Sequence, residues 1–343
     1  MFPELIDKLY RRHDLSAAEA EAAMAEVMAG RATPAQIAGL LVALAMKGER
    51  ASEIAGLART MRRHAVPLSR PRPDAFDTCG TGGDRSHTVN VSSLAAIVLA
   101  ACGVSVAKHG NRSVSSRCGS ADLFEALGVD LAAPPSTVER SLDEAGIAFF
   151  FAPTFHPSMR HAGPARRELG VRTAFNLLGP LTNPAGVARQ VIGVPRPELT
   201  DLLARVLGEL GSVRAWVVHG ADGVDEISTT GYTKVSELRD GRVMTFYVHP
   251  AEFGVAPAEP DDLRVAGVEE STAAARAVLE GAPGPAREFV LANVAAGLVV
   301  AERAATLREG VALGAGALDD GRAAATLEAM VRCSTATGTE DSA

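Results

Sequence analysis

The chain has 343 residues, room for two domains or for one large α/β domain with a smaller companion. Its 47% apolar and 22% charged content is ordinary globular usage and excludes wholesale disorder. Acidic residues outnumber basic ones, 41 to 34, and the formal net charge of −7 argues against nucleic-acid or anionic-membrane partners, while leaving room for a small anion in a locally basic pocket. Only Lys8, Lys47, Lys108 and Lys234 are lysines, so a lysine inside a motif stands out against an arginine background. Cys79, Cys102, Cys118 and Cys333 show no C-x-x-C spacing, which offers neither a disulfide framework nor a zinc site. The start, MFPELIDKLYRR, carries acids and no long apolar core, unlike a secretory signal. The longest apolar runs, such as 91–102, fall short of a membrane span. A soluble, cytoplasmic protein is expected.

Residues 1–65 read as helices only. Ser16-Ala-Ala-Glu19 is a capping-box pattern opening an Ala/Met-rich helix that stops at Gly30. Thr33-Pro34-Ala-Gln36 repeats the device with proline at the first helical position, followed by Ile37, Leu40, Leu41 and Leu44 at helical spacing. A third helix fits 53–64, with Ile54, Leu57 and Met61 on one face. Three short helices make a thin core, so they are expected to pack on the rest of the chain or on a second copy of themselves. Ser69-Arg-Pro-Arg-Pro73 forbids helix and reads as a hinge.

From about residue 74, apolar strands at 76–79, 104–107, 147–151, 190–194 and 215–219 alternate with helices at 93–102, 121–127, 137–145 and 198–210. That alternation predicts a parallel or mixed α/β sheet. Segments 234–238 and 242–248 read as a late hairpin around Asp240-Gly241. Helices return from Ser271, with Ala-Gly pairs that permit close packing, and the residues after Cys333 read as a frayed end.

Four segments carry chemistry. Asp77-Thr-Cys-Gly80-Thr-Gly82-Gly83-Asp84 runs from a strand into a glycine loop, and Thr88-Val-Asn90-Val-Ser92-Ser93 leads into a helix. Glycines that let backbone N–H groups approach, beside a helix start, make an anion cradle. The competing reading is a tight turn with Ser92 as N-cap. Lys108-His109-Gly110-Asn111-Arg112-Ser113-Val-Ser115-Ser116 follows the next strand, where ligands of open α/β sheets bind; without a ligand it is a polar loop before a helix capped by Ser120. Asp222-Gly223-Val224-Asp225-Glu226 lies beyond another strand and, with phosphate oxygens and water, suits Mg²⁺, although an acidic surface turn would look the same. Finally, Arg160, Arg166, Arg167 and Arg172 form a basic patch in an acidic chain; Arg suits bidentate carboxylate recognition, and a solvated helix face is the alternative.

Taken together, Gly80-Thr-Gly-Gly-Asp84, Asn90-Val-Ser-Ser93, Lys108 through Ser116, Arg172-Thr-Ala-Phe-Asn-Leu-Leu-Gly-Pro-Leu-Thr-Asn-Pro184 and Asp225-Glu226 closely resemble the anthranilate phosphoribosyltransferase family over nearly the whole chain. The resemblance implies a small helical domain, 1–70 with a further helical contribution near 165–190, and a larger α/β domain, 71–343, with a mixed, mainly parallel sheet. It implies transfer of the phosphoribosyl group of 5-phosphoribosyl 1-diphosphate (PRPP) to anthranilate, with Mg²⁺, expected as two ions per chain. By position it implies that PRPP meets Gly80, Gly83, Asp84, Thr88, Asn90, Val91, Ser92, Ser93, Lys108, His109, Gly110, Asn111, Arg112, Ser113, Val114, Ser115, Ser116 and Ser120. Anthranilate would meet Gly80, Asn111 and Arg166, and the metal Ser92, Asp225 and Glu226. No side chain is expected as a required acid or base, since the attacking amine is neutral. A homodimer through the N-terminal helices is expected. Arg85 stands where the family usually has glycine, and Ser93 where threonine is frequent. A pyrimidine-nucleoside phosphorylase would share the fold but reads Lys-His-Ser-Thr-Gly-Gly at 108–113; a nucleic-acid-binding relative would be basic with degraded motifs.

Overall fold

The computed structural model describes residues 1–84, 86–113 and 117–336. The chain opens with four helices, α1 Phe2–Tyr10, α2 Ala17–Met28, α3 Pro34–Lys47 and α4 Ala51–Arg63. Both expected capping boxes form. The Glu19 amide donates to Ser16 Oγ (3.2 Å) and the Ser16 amide to Glu19 Oε2 (2.7 Å); Thr33 and Gln36 repeat the exchange. Each such cap contributes about 1 kcal/mol. The sequence reading had three helices here. The additional one, α1, buries Phe2, Leu5 and Leu9, a short amphipathic stripe in what was read only as a non-secretory start.

The rest alternates. Strands β1 Phe76–Gly80, β2 Val106–Gly110, β3 Ile147–Phe151, β4 Arg189–Gly193, β5 Arg214–Gly220, β6 Thr233–Arg239 and β7 Arg242–Val248 form one sheet. Between them run α5 Val91–Ala101, α6 Ser120–Ala126, α7 Pro135–Glu144, the short α8 Ala152–Phe155, α9 Gly163–Leu169, the short α10 Phe175–Leu178, and α11 Leu199–Glu209. After β7 come the short α12 Pro250–Phe253, then α13 Val268–Leu279, α14 Pro285–Val300, α15 Leu307–Asp319 and α16 Arg322–Thr335. The strand order is β3-β2-β1-β4-β5-β6-β7, parallel through β5 and antiparallel at β6 and β7. Asp240 (φ 50°) and Gly241 (φ 73°) are both left-handed, which is the I′ geometry that suits a two-residue hairpin.

Both faces of the sheet are covered, so its central strands are apolar on both sides. Val191, Trp216 and Val218 pack under α5 and α14, while Ile192, Ala215 and Val217 pack under α11 and the N-terminal helices. The thin helical core is thus completed by the rest of the chain, including Ala165, Phe175 and Leu177. The Ala-Gly pairs act as expected: a Cβ on Gly310 would lie 2.7 Å from the Ala295 backbone, so α15 sits tight on α14. Segment 69–73 is not helical, and it is tied down: the Ser69 amide donates to both Glu139 oxygens (2.9 and 3.0 Å), and Arg72 pairs with Asp143.

Most boundaries shift by one to three residues from expectation, and three of the shifts have a plain local account. Strand β2 begins at 106, because Val104 is used to close α5 through its amide to the Leu99 carbonyl (3.1 Å) after Gly103 turns the chain at φ 84°. Lys108, His109 and Gly110 therefore lie within the strand instead of in the loop beyond it. Helix α5 starts at Val91, with Asn90 at the cap position, so Ser92 is inside the helix and is not its N-cap. Helix α16 continues past Cys333 to Thr335, held partly by the Asp130 amide donating to Ser334 Oγ (3.1 Å). Among the described residues no helix is long and apolar enough to cross a membrane.

Candidate active site

From β1 the chain goes outward through β2 and β3, then returns to place β4 on the other side of β1. In an open α/β sheet the crevice for a ligand lies at the carboxyl ends of the strands flanking such a reversal. Here four neighbouring strands, β2, β1, β4 and β5, all end in glycine: Gly110, Gly80, Gly193 and Gly220. For Gly80, Gly193 and Gly220 the reason is the acidic turn after β5. A Cβ on Gly193 would overlap the Asp225 carbonyl, and one on Gly80 would overlap the Asp225 carboxylate. The turn is thereby laid directly across the ends of β1 and β4.

Hydrogen bonds fasten it there. The Gly82 amide donates to Asp225 Oδ2 (2.8 Å), and the Thr81 amide to the Gly193 carbonyl (2.9 Å). Glu226 Oε1 accepts from the Ser92 amide at the start of α5 (3.3 Å), where the helix end carries partial positive charge. Burial pushes the Asp225 carboxyl up, and the Asp84 charge adds to it; Glu226 is pushed well up by burial and then by Asp225. Two adjacent acids held together away from water hold protons or attract a cation. Their donor set is all oxygen, the type Mg²⁺ takes, and Ser92, whose amide bonds Glu226, is half-buried. No group of three His, Cys, Asp or Glu side chains gathers into a ready metal cage among the described residues. The fit is to an ion held by one or two carboxylates and completed by substrate phosphate and water.

The glycine loop itself uses Gly82 (φ 67°) and Gly83 (φ 86°), both left-handed. Asp84 accepts from Ser86 Oγ (2.5 Å), which also contacts Thr88 Oγ1 (3.2 Å). Asn90 is a strut: its Nδ2 donates to the Cys118 carbonyl (3.0 Å), and its Oδ1 accepts from Ser271 Oγ (2.6 Å). Val91 and Ser93 are buried behind the loop.

Lys108 is only 2% exposed, and the charges of Asp77 and Glu226 both feel it. His109 Nδ1 contacts the Gly179 carbonyl (3.1 Å), and its ring lies 5.2 Å from that of His156. Burial, with the neighbouring His156 and Lys108, lowers His109 to about 3; burial lowers His156 to about 4. Both are neutral at physiological pH. A Cβ on Gly110 would overlap Ser120 Oγ, and Ser120 Oγ donates to the Asn111 carbonyl (3.3 Å). Asp122 accepts from the Ser113 and Gly119 amides (3.1 and 2.9 Å), shaping the loop before α6. Arg112 is turned onto α6, forked on Glu125 (2.7 and 2.8 Å) with Asp122 at 3.0 Å. Val114, Ser115 and Ser116, and Arg85 in the other loop, lie outside the described residues.

Helix α9 supplies Arg166, whose guanidinium sits over the Phe175 ring (5.7 Å to the centroid) and whose pKa burial lowers. It makes no ion pair within 4 Å among the described residues, which suits an anionic ligand. Sequence reasoning assigned no role to three supports. Gly193 is one, legible only as a glycine closing a strand. Asp77 and Asn183 are the others: Asn183 Nδ2 donates to Asp77 Oδ2 (2.8 Å) and to the Ala107 carbonyl (2.7 Å), while Asp77 Oδ1 accepts from the His109 amide (3.2 Å). This buried bridge carries the register of β1 to the Lys108 segment.

A helical bundle beside an α/β sheet, with an acidic turn closing a glycine loop at the strand reversal, is the architecture of a glycosyl transferase. The helical bundle domain of that family matches residues 3–65 and its a/b domain residues 72–324. An anthranilate phosphoribosyltransferase of Moorella thermoacetica is 54% identical over 331 residues, 96% of this chain and 98% of the relative. The crystal structure of the Thermus thermophilus anthranilate phosphoribosyltransferase is 46% identical, with a TM-score of 0.90 over 97% of this chain and 99% of that one. The Saccharomyces cerevisiae enzyme in complex with PRPP and Mg is 28% identical, with a TM-score of 0.88 over 97% of both chains. The chain belongs to the anthranilate phosphoribosyltransferase family.

Proposed function

We propose that this chain carries out the reaction of its family: the 5-phosphoribosyl group of PRPP passes to the amine of anthranilate, giving N-(5-phosphoribosyl)anthranilate and diphosphate. The observation that carries the reading is the Asp225-Glu226 turn bonded to the glycine loop and to the start of α5. The yeast relative solved with PRPP and Mg, and the same enzyme solved with 4-fluoroanthranilate, support it.

In this reading Ser92, Asp225 and Glu226 hold Mg²⁺, two ions per chain, and the glycine loop and the 108–120 segment hold PRPP. Bound Mg²⁺ would neutralise charge that develops on the departing diphosphate. The glycine loop is held in place through its Thr81 and Gly82 amides, so its remaining amides would meet developing negative charge at little reorganisation cost. Arg166 holds the anthranilate carboxylate with its charge-assisted fork, Gly80 and Asn111 flank the ring, and the amine is thereby positioned against the anomeric carbon. As the C1–diphosphate bond breaks through an oxocarbenium-like state, the C1–N bond forms, and the nitrogen then sheds a proton. The neutral amine attacks without prior deprotonation, so no side chain is assigned as acid or base.

We place the division between the helical and α/β domains near residue 70; family matches that end at 65 and resume at 72 support it. A homodimer through the N-terminal helices is supported by the apolar groove between α1 and α3, lined by Ile6, Tyr10, Val42 and Met46, with Tyr10 82% and Met46 68% exposed.

The reaction is read by loss of anthranilate fluorescence on mixing with PRPP and Mg²⁺. We expect complete, enzyme-dependent loss that a chelator stops. Persistent fluorescence with both substrates present would refute the reading.

A further inference from the structure

Arg172 is not among the residues that the family resemblance assigns to either substrate or to the metal, yet it reaches the glycine loop after β1. A single short segment delivers it. Helix α9 ends at Leu169, Gly170 turns the chain in a left-handed conformation (φ 61°), and Val171 projects into solvent. Arg172 then points back over the glycine loop, and a reciprocal pair locks the following turn: the Thr173 amide donates to Asn176 Oδ1 and the Asn176 amide to the Thr173 carbonyl (both 2.9 Å). The backbone that carries Arg172 is therefore held on both sides.

Its guanidinium occupies the space a side chain at position 83 would need. A Cβ on Gly83 would overlap Arg172 Nη1, and Gly83 is itself left-handed, so glycine is required there twice over. Arg172 Nη2 donates to the Thr81 carbonyl (3.4 Å). The Thr81 carbonyl and the Gly82 amide belong to one peptide unit, so Arg172 holds at its oxygen the unit that Asp225 holds at its N–H. The charges of Asp225 and Asp84 also act on it, with no carboxylate in direct ion-pair contact among the described residues.

We propose that Arg172 is a positioning residue that clamps the Gly80–Gly83 turn against the Asp225-Glu226 turn and so presets the shape of the loop that receives the phosphates of PRPP. The inference rests on the functional reading above. A planar fork fixes a carbonyl in a way an ammonium does not, so lysine at 172 would keep the charge and lose the grip. Because Arg172 acts on the loop that receives PRPP, and Arg166 holds the other substrate, the clamp affects one substrate's binding and not the other's.

The test is steady-state kinetics, with PRPP and anthranilate varied separately, on Arg172→Gln and Arg172→Lys. Wild-type turnover is measured first; its absence counts against the reading of the activity and not against the clamp. With wild-type turnover in hand, Arg172→Gln is expected to raise the KM for PRPP about tenfold and leave that for anthranilate within about twofold, with Arg172→Lys between it and wild type. Should the glutamine variant not fold, the lysine variant decides alone, with a shift in the same direction and smaller. A KM for PRPP within about twofold of wild type, or equal rises for both substrates, would overturn the proposal.

Discussion

Arg166 and Asp225 show how one side chain's surroundings prescribe its chemistry. Arg166 is half-buried over the face of Phe175 and has no ion pair among the described residues, so its charge is left to be satisfied by something else. A carboxylate on a small aromatic ring would complete it, with charge-assisted bonds worth roughly 1.5–3 kcal/mol. Arg166→Ala should accordingly raise the KM for anthranilate by roughly tenfold or more, with that for PRPP nearly unchanged, in initial-rate measurements. Equal rises would remove Arg166 from the anthranilate site. Asp225 presents the opposite case: an acid beside Asp84 and Glu226 and kept from water, whose charge Arg172 and the Gly82 amide offset only in part, so that a cation is favoured. His109 and His156, lowered to about 3 and 4, lack the proton at neutral pH that a general acid would need.

At the scale of elements, what was legible in the sequence is what depends on near neighbours in the chain. The two capping boxes, the Asp240-Gly241 hairpin and the period of the strands are local devices, and each is found where it was read. The glycine loop and the acidic turn were likewise visible as composition. Their contact was not, because Gly82 and Asp225 are separated by 143 positions and meet only through the strand order. The same holds for Asn183 and Asp77, a buried polar pair that no spacing announces. The start of β2 was misjudged for a different reason: Val104 looks like a strand residue, but its amide is used to close α5, and a lysine and a histidine follow it into the sheet. Tertiary context there overrode propensity. Functional residues at strand ends are where such overrides are expected.

For the whole molecule, a net charge of −7 coexists with a cleft built for a polyanion. Local arrangement resolves this: Lys108 lies near the end of β2 and Arg172 against the glycine loop after β1, while Arg112 is spent on Glu125 and Asp122. The exposed groove between α1 and α3 is on the helical part, opposite in character to the cleft: apolar and without the acidic turn. Self-association there would bury Tyr10 and Met46 without touching the strand ends. Sedimentation over a range of concentrations should give a dimer that Met46→Glu weakens, because a charge would have to be buried in the contact. A concentration-independent monomer would remove the dimer from the account.

The central claim is that the turn after β5 makes the site at the ends of β1 and β4 a place for a metal-assisted diphosphate departure. Turnover of anthranilate by Asp225→Asn/Glu226→Gln, followed by fluorescence across a magnesium titration, tests it most directly. Both substitutions keep volume, remove the charge and replace one acceptor oxygen of each carboxylate with a donor, leaving one oxygen to accept from the Gly82 or Ser92 amide. The account predicts loss of at least about a hundredfold in magnesium-dependent rate. A near-normal rate in the double variant would contradict it.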